Sequence, residues 1–259
     1  MRLGVGPGMS TRERGRVRVE HGAKRVRAVL GGQVVADTTA PLLVWEFPYY
    51  PAYYVPRADV ADGVLVATDR TKRSPSRGEG RVWTVRAGGR EAVNAALDYP
   101  DSPIDELREH VRFDWATMDA WFEEDEEVFV HPRSPYTRVD ILASSRHVRV
   151  ELDGVTVAES EKPMLLFETG LPTRYYLPKT DIRMDLVEPS DTVTQCPYKG
   201  DAQYWTFRTG DTVHTDIAWY YRYPAPESQK IAGRVAFLDE RADVFVDGVR
   251  QERPKTHFG

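Results

Sequence analysis

The stretch TQCPYKGDAQYW, Thr194 to Trp205, sets the chain's single cysteine three residues before a lysine. The thiolate is the reactive form of cysteine, and a neighbouring cation favours it. Cys196 and Lys199 therefore read as a candidate nucleophilic or redox pair, with Asp216 or His214 of TVHTDIAW (212–219) available to orient a base. The competing reading is a small buried side chain beside a turn, since Cys-Pro and Lys-Gly also suit tight turns. One cysteine excludes an internal disulfide and a cysteine-rich zinc site. The six histidines, His21, His110, His131, His147, His214 and His257, show no HxH or HxxxH spacing. No metal and no cofactor is expected.

A second set of residues suits binding. Glu168, Tyr175, Tyr176 and Asp181 lie within one short stretch, and Tyr198, Trp205 and Trp219 follow in a run of unusual aromatic density. AWYYRYP (218–224) alone carries four aromatics in five positions. Partly exposed tyrosine and tryptophan stack planar ligands or form interfaces. Alternation along a strand sends adjacent tyrosines to opposite faces, so one of each pair is expected in a core and the other at a groove. The plainer reading of proline followed by aspartate is a strand-end turn whose carboxylate bonds local amides.

These residues recur, because the chain is written twice. Residues 23–60 laid over 145–182, an offset of 122, are identical at 13 of 38 positions, where ordinary usage gives about two or three. The offset returns Glu46, Tyr53, Tyr54, Asp59 and Trp83 as first-copy equivalents of Glu168, Tyr175, Tyr176, Asp181 and Trp205. It also pairs SPSRG (74–78) with CPYKG (196–200): the basic residue survives as Arg77, while Ser74 and Ser76 replace the thiol and the tyrosine.

The elements that must position these residues read as strands. KRVRAVL and RHVRVEL alternate with period two and end in Gly31-Gly32 and Asp153-Gly154, two-residue hairpin signals. Helix is confined to SPIDELREH (102–110) and WATMDAW (115–121). VFVHP (128–132) matches VFVDG (244–248), which makes WATMDAWFEED an acidic insertion in copy one. The expected organisation is a flexible tail over 1–16, a first copy over 17–134 with a degenerate loop, and a complete second copy over 135–259. The fold class is all-β with minor helix.

Charge and hydropathy narrow the setting. A net charge of −5 and a pI near 5.8 give no basic surplus for nucleic acid. No apolar run approaches the roughly 20 residues of a membrane span, and the N-terminus lacks a signal-peptide core. A cytoplasmic protein is expected, monomeric or homodimeric, whose partner is a small molecule.

LLVWEFPYYPAYYVPRADV, TQCPYKGDAQYW, IAWYYRYPAPESQKIAGRVAFLDE and VFVDG together resemble the domain-of-unknown-function 427 family in tandem arrangement. The resemblance implies small coiled-β-sheet domains similar to the β-tent class, which includes methionine sulfoxide reductase B and zinc-knuckle domains. It places the family's loop on Cys196, Pro197, Tyr198, Lys199 and Gly200, then Tyr204 and Trp205. The paired cysteines of zinc-holding relatives are missing, and copy one departs at Ser74 and Ser76. A nucleotidyltransferase label sometimes attached to the family finds neither a phosphate-cradling glycine loop nor closely spaced paired carboxylates here. The reading that follows is a tandem binding protein with its groove in copy two. A thiol enzyme on Cys196 and a protein-interaction module are the alternatives.

Overall fold

A computed structural model describes residues 17–256; the tail expected over 1–16 lies outside the described residues. The chain divides between Ser134 and Pro135 into two compact units.

The first unit contains β1 (Arg18–His21), β2 (Val26–Leu30), β3 (Gln33–Thr38), β4 (Leu42–Trp45), β5 (Ala52–Pro56), β6 (Leu65–Ser74), β7 (Gly78–Ala87), β8 (Arg90–Asp98), β9 (His110–Phe113), β10 (Ala120–Glu123) and β11 (Glu126–Glu127). The second contains β12 (Val139–Ala143), β13 (Val148–Leu152), β14 (Val155–Ser160), β15 (Met164–Glu168), β16 (Arg174–Tyr176), β17 (Val187–Cys196), β18 (Gly200–Thr209), β19 (Thr212–Tyr221), β20 (Val235–Phe237), β21 (Asp243–Val246) and β22 (Val249–Arg250).

The two units repeat one topology. In the first, a seven-stranded sheet runs β1-β4-β5-β9-β8-β7-β6 and a four-stranded sheet runs β11-β10-β2-β3. In the second, β12-β15-β16 and β17-β18-β19-β20 are separate sheets. A bridge between Leu177 and Val235 joins them where β5 pairs with β9 in the first unit, with reciprocal backbone bonds of 2.8 and 2.9 Å. The sheet β14-β13-β21-β22 completes the match.

Local sequence explains the strands. Val26, Ala28 and Leu30 of β2 are buried while Arg27 and Val29 are less so, and β13 repeats the pattern. Gly31 and Gly32 turn with φ of +60° and +72°, Asp153 and Gly154 with +50° and +79°, the positive values a tight hairpin requires. A bulge also repeats: Asn94 (φ +57°) and Asp216 (φ +52°) sit 122 positions apart at matching register shifts in β8 and β19.

Two sequence expectations need correction. The segments expected as helices form only single 3-10 turns, Asp105–Leu107 and Trp115–Thr117, and their remainders become β9 and β10. Pairing wins over local helical pattern because β9 and β10 bury Val111, Phe113 and Trp121 against neighbouring strands. Nor is the acidic run an insertion. β10 pairs with β2 as β21 pairs with β13, so Trp121 corresponds to Val244, and Glu124-Asp125 is the hairpin turn that Asp247-Gly248 supplies in the second unit.

Each unit carries a core on both faces of its larger sheet. Tyr53 joins the cluster of Val26, Leu30, Val85 and Trp121, whereas Tyr54 joins Leu42, Val44, Tyr99 and Leu107. In the second unit Tyr175 packs beside Val148, Leu152 and Phe207, and Tyr176 joins Ile141, Leu166, Trp219 and Tyr221.

Candidate functional site

The CPYKG bend closes the β17–β18 hairpin, with Cys196 opposite Gly200. Lys199 N–H donates to the Cys196 carbonyl at 3.3 Å, and Gly200 adopts φ +94°. A β-carbon on Gly200 would stand 3.2 Å from the Tyr223 carbonyl oxygen, so only glycine fits the approach. Ser228 Oγ donates to the Tyr198 carbonyl at 3.0 Å, and Ala225 N–H donates to that of Lys199 at 3.0 Å, fastening the bend to the segment after β19.

Beneath the bend, Lys199 Nζ pairs with Glu168; the two side chains are 12% and 9% exposed. The first unit builds the same pair. Arg77 Nη1 lies 2.8 Å from Glu46 Oε1, Arg112 Nε lies 3.1 Å from it, and Tyr54 OH donates to the same oxygen at 2.7 Å. The carboxylate and basic residue preserved across the repeat are thus partners, 31 residues apart in each copy. Burial, helped by Glu46, pushes the Tyr54 hydroxyl far above the usual tyrosine range; burial does the same to Tyr176 and Tyr221. These phenols stay protonated and do not act as bases.

Cys196 is half-buried and free. The groups expected to assist it are not gathered around it. Lys199 is committed to Glu168. His214 pairs opposite Phe207, seven positions along β18 from Gly200, which at a rise of about 3.3 Å per residue is roughly 23 Å. Asp216 belongs to the bulge near that end: its carboxylate accepts from Thr192 Oγ1 at 2.7 Å and its N–H donates to Thr206 Oγ1 at 3.2 Å. His214 bonds Thr209 Oγ1 at 2.8 Å.

The tyrosine pairs do face opposite ways; Tyr53, Tyr54 and Tyr176 are buried, and Tyr175 is half-buried. Tyr176 is fully buried, accepts a bond from Trp219 Nε1 at 3.1 Å and meets that ring edge-on at 6.3 Å. Trp219 and Trp205 are core residues; Trp205 tilts against Tyr220 at 4.8 Å under the Lys179 ammonium. Asp181 ends a 3-10 turn and accepts from Thr180 at 2.9 Å, while Asp59 accepts from Thr38 at 2.6 Å. Both aspartates end 3-10 turns after a proline, but their carboxylates accept from threonine hydroxyls and not from local amides. Trp83 is half-buried beneath Arg57 and Arg81, both bound to Asp98. Tyr53 OH donates to Glu123.

A cavity of about 170 Å³ opens on the Tyr175 face of the second unit. Its lining comes from the segment before β16 and Tyr175 on that strand, from Asp239, Ala242 and Val244, and from Gln251, Glu252 and Pro254 after β22. Of the residues singled out in the sequence, only Tyr175 reaches it; the CPYKG bend lies on the Tyr176 side. Arg174 bonds Glu240 through both terminal nitrogens at 3.0 and 2.5 Å and lies 3.4 Å from Asp239. Burial dominates over that cation and pushes the Asp239 carboxyl up to about 7. Burial, with Asp239 nearby, raises the Tyr175 hydroxyl as well.

In the first unit the equivalent positions carry larger side chains, and strand register says which. Phe113 pairs with Ala96 as Phe237 pairs with Ala218, which sets Trp115 where Asp239 stands. Trp121 occupies the place of Val244. The two indoles stack at 4.8 Å and 5°, each against Tyr53 at about 6 Å. Two tryptophans fill what an aspartate and a valine leave open. The sequence carried this signal, but the mistaken match of VFVHP to VFVDG hid it. Arg112, opposite Ala236 in the repeat, was missed for lack of any motif around it.

Among the described residues no group of three or more His, Cys, Asp or Glu is placed to hold a metal ion, and no helix is long and apolar enough to cross a membrane. No curated protein matches the chain. The family model described as domain of unknown function (DUF427) matches residues 18–124 and again 140–248. Those two spans are the two repeated sheet assemblies, and the chain belongs to the DUF427 family as a tandem two-copy member.

Proposed function

We propose that this is a tandem β-domain protein whose second copy binds a small molecule in the Tyr175–Asp239 cavity, while the first copy serves as a closed scaffold. The observation that carries the reading is the contrast between copies: Trp115 and Trp121 stack where Asp239 and Val244 line open space. At the buried Trp121 position, loss of the indole forfeits about 3–5 kcal/mol of packing unless something else occupies the volume. The Tyr175 ring offers a flat wall and Asp239 a polar anchor, the mixture that orients a small ligand. A single free cysteine suits the reducing cytoplasm. Catalysis by Cys196 has weaker support, since Lys199 is held by Glu168 and the bases lie at the other end of the sheet.

The test is a ligand-observed NMR screen of compounds with fewer than about ten non-hydrogen atoms, the size range the cavity admits. Hits are expected on the parent protein and are expected to vanish in Val244→Trp, which copies the first unit's plug. A protein that binds nothing, or a Val244→Trp variant that is folded and binds equally well, rejects the reading.

A further inference from the structure

We infer that the second-unit cavity takes a small organic cation, an amine on a compact apolar body, whose ammonium pairs with the Asp239 carboxylate. The inference rests on the binding reading above and adds the ligand's charge and size. A cavity of about 150 Å³ takes benzene, so 170 Å³ holds roughly six to eight non-hydrogen atoms.

The charge follows from the lining. Asp239 and Glu252 contribute carboxyl groups, and among the described residues no lysine, arginine or histidine lines the cavity. The surrounding cations are already paired: Arg174 is shared between Glu240 and Asp239, Arg146 pairs with Asp247, and Arg250 and Arg253 pair with Asp243. An anion would meet two carboxyl groups, and the one neighbouring cation, Arg174, is already shared between Asp239 and Glu240. Pro172, Ala242, Val244 and Pro254 supply apolar surface for the body of the ligand, and Tyr175 supplies a ring face and a hydroxyl. Asp239 is 8% exposed, with Arg174 3.4 Å away already shared with Glu240. An arriving ammonium provides the counter-charge that lets it ionise.

Binding is therefore linked to proton release. The charged and titratable groups around Asp239 are Arg174, Glu240, Tyr175 and Glu252, and burial raises the Asp239 carboxyl to about 7. Affinity for the cation should rise about tenfold between pH 6 and pH 8.

The experiment follows the Ala242 and Val244 methyl resonances of the full chain during titration with benzylamine, benzyl alcohol and benzoate. Benzylamine is expected to bind at least about tenfold more tightly than benzyl alcohol, to tighten about tenfold from pH 6 to pH 8, and to lose its advantage in Asp239→Asn. Benzyl alcohol or benzoate binding as well as benzylamine would overturn the cation inference and leave the binding reading standing. Silence with all three probes would overturn both. Should Asp239→Asn fail to fold, the probe comparison on the unaltered chain at pH 8 decides: benzylamine binding no more tightly than benzyl alcohol overturns the inference.

Discussion

Lys199 and Arg77 show how one residue type is chosen by its burial. Each sits under a tight bend and meets a carboxylate that is about nine-tenths buried. Removing one member of such a pair strands a charge in the interior, at a cost of about 3–5 kcal/mol. Lys199→Met and Glu168→Leu are each expected to lower unfolding stability in that range by chemical denaturation, while the Lys199→Met/Glu168→Leu double variant recovers much of the loss. Equal, additive losses would mean that the pair is not coupled. Lys199→Arg, which borrows the first copy's choice, should cost less than the methionine. The sequence offered both residues as functional candidates. Their mutual distance, which makes them structural partners, became visible only when β15 was brought beside the hairpin.

The β19 bulge is the clearest device at the scale of an element. Asp216 holds φ +52° and ties the bulged strand to β17 through Thr192. Asparagine and aspartate tolerate left-handed backbone, and β-branched residues do not. Asp216→Asn should therefore be close to neutral, since Asn94 does the same work in the first unit at φ +57°. Asp216→Val is expected to cost about 2 kcal/mol or more, from backbone strain together with the lost carboxylate bond; thermal unfolding of both variants checks it. If valine were tolerated as well as asparagine, the bulge would not be fixed by this residue. Strands and hairpin turns were legible here because period-two patterns and Gly-Gly or Asp-Gly turns are local signals. Bulges and the two short 3-10 turns were not, because cross-strand pairing decides them.

For the whole molecule, Asp239 links stability to pH. Its carboxyl is raised by burial from its ordinary value to about 7, so it favours the folded state while both states are protonated. That contribution is complete below the unfolded pKa of about 4 and is lost as pH rises through about 7. At about 1.4 kcal/mol per pH unit the span is worth roughly 4 kcal/mol. Asp239→Asn should become more stable relative to the parent as pH is raised from 5 to 8, by a few kcal/mol in denaturant titrations; a difference that stays constant across that range would show that Asp239 is ionised throughout. The duplication, the all-β class, the paired tyrosines and the shared bend were determined by sequence alone, because repeats and alternation are written in neighbouring residues. The tertiary structure decided which residues are core, which are ion partners, and where open volume remains. Those depend on side chains from distant strands competing for the same space: Trp115 and Trp121 win it in one copy, and Asp239 and Val244 leave it free in the other.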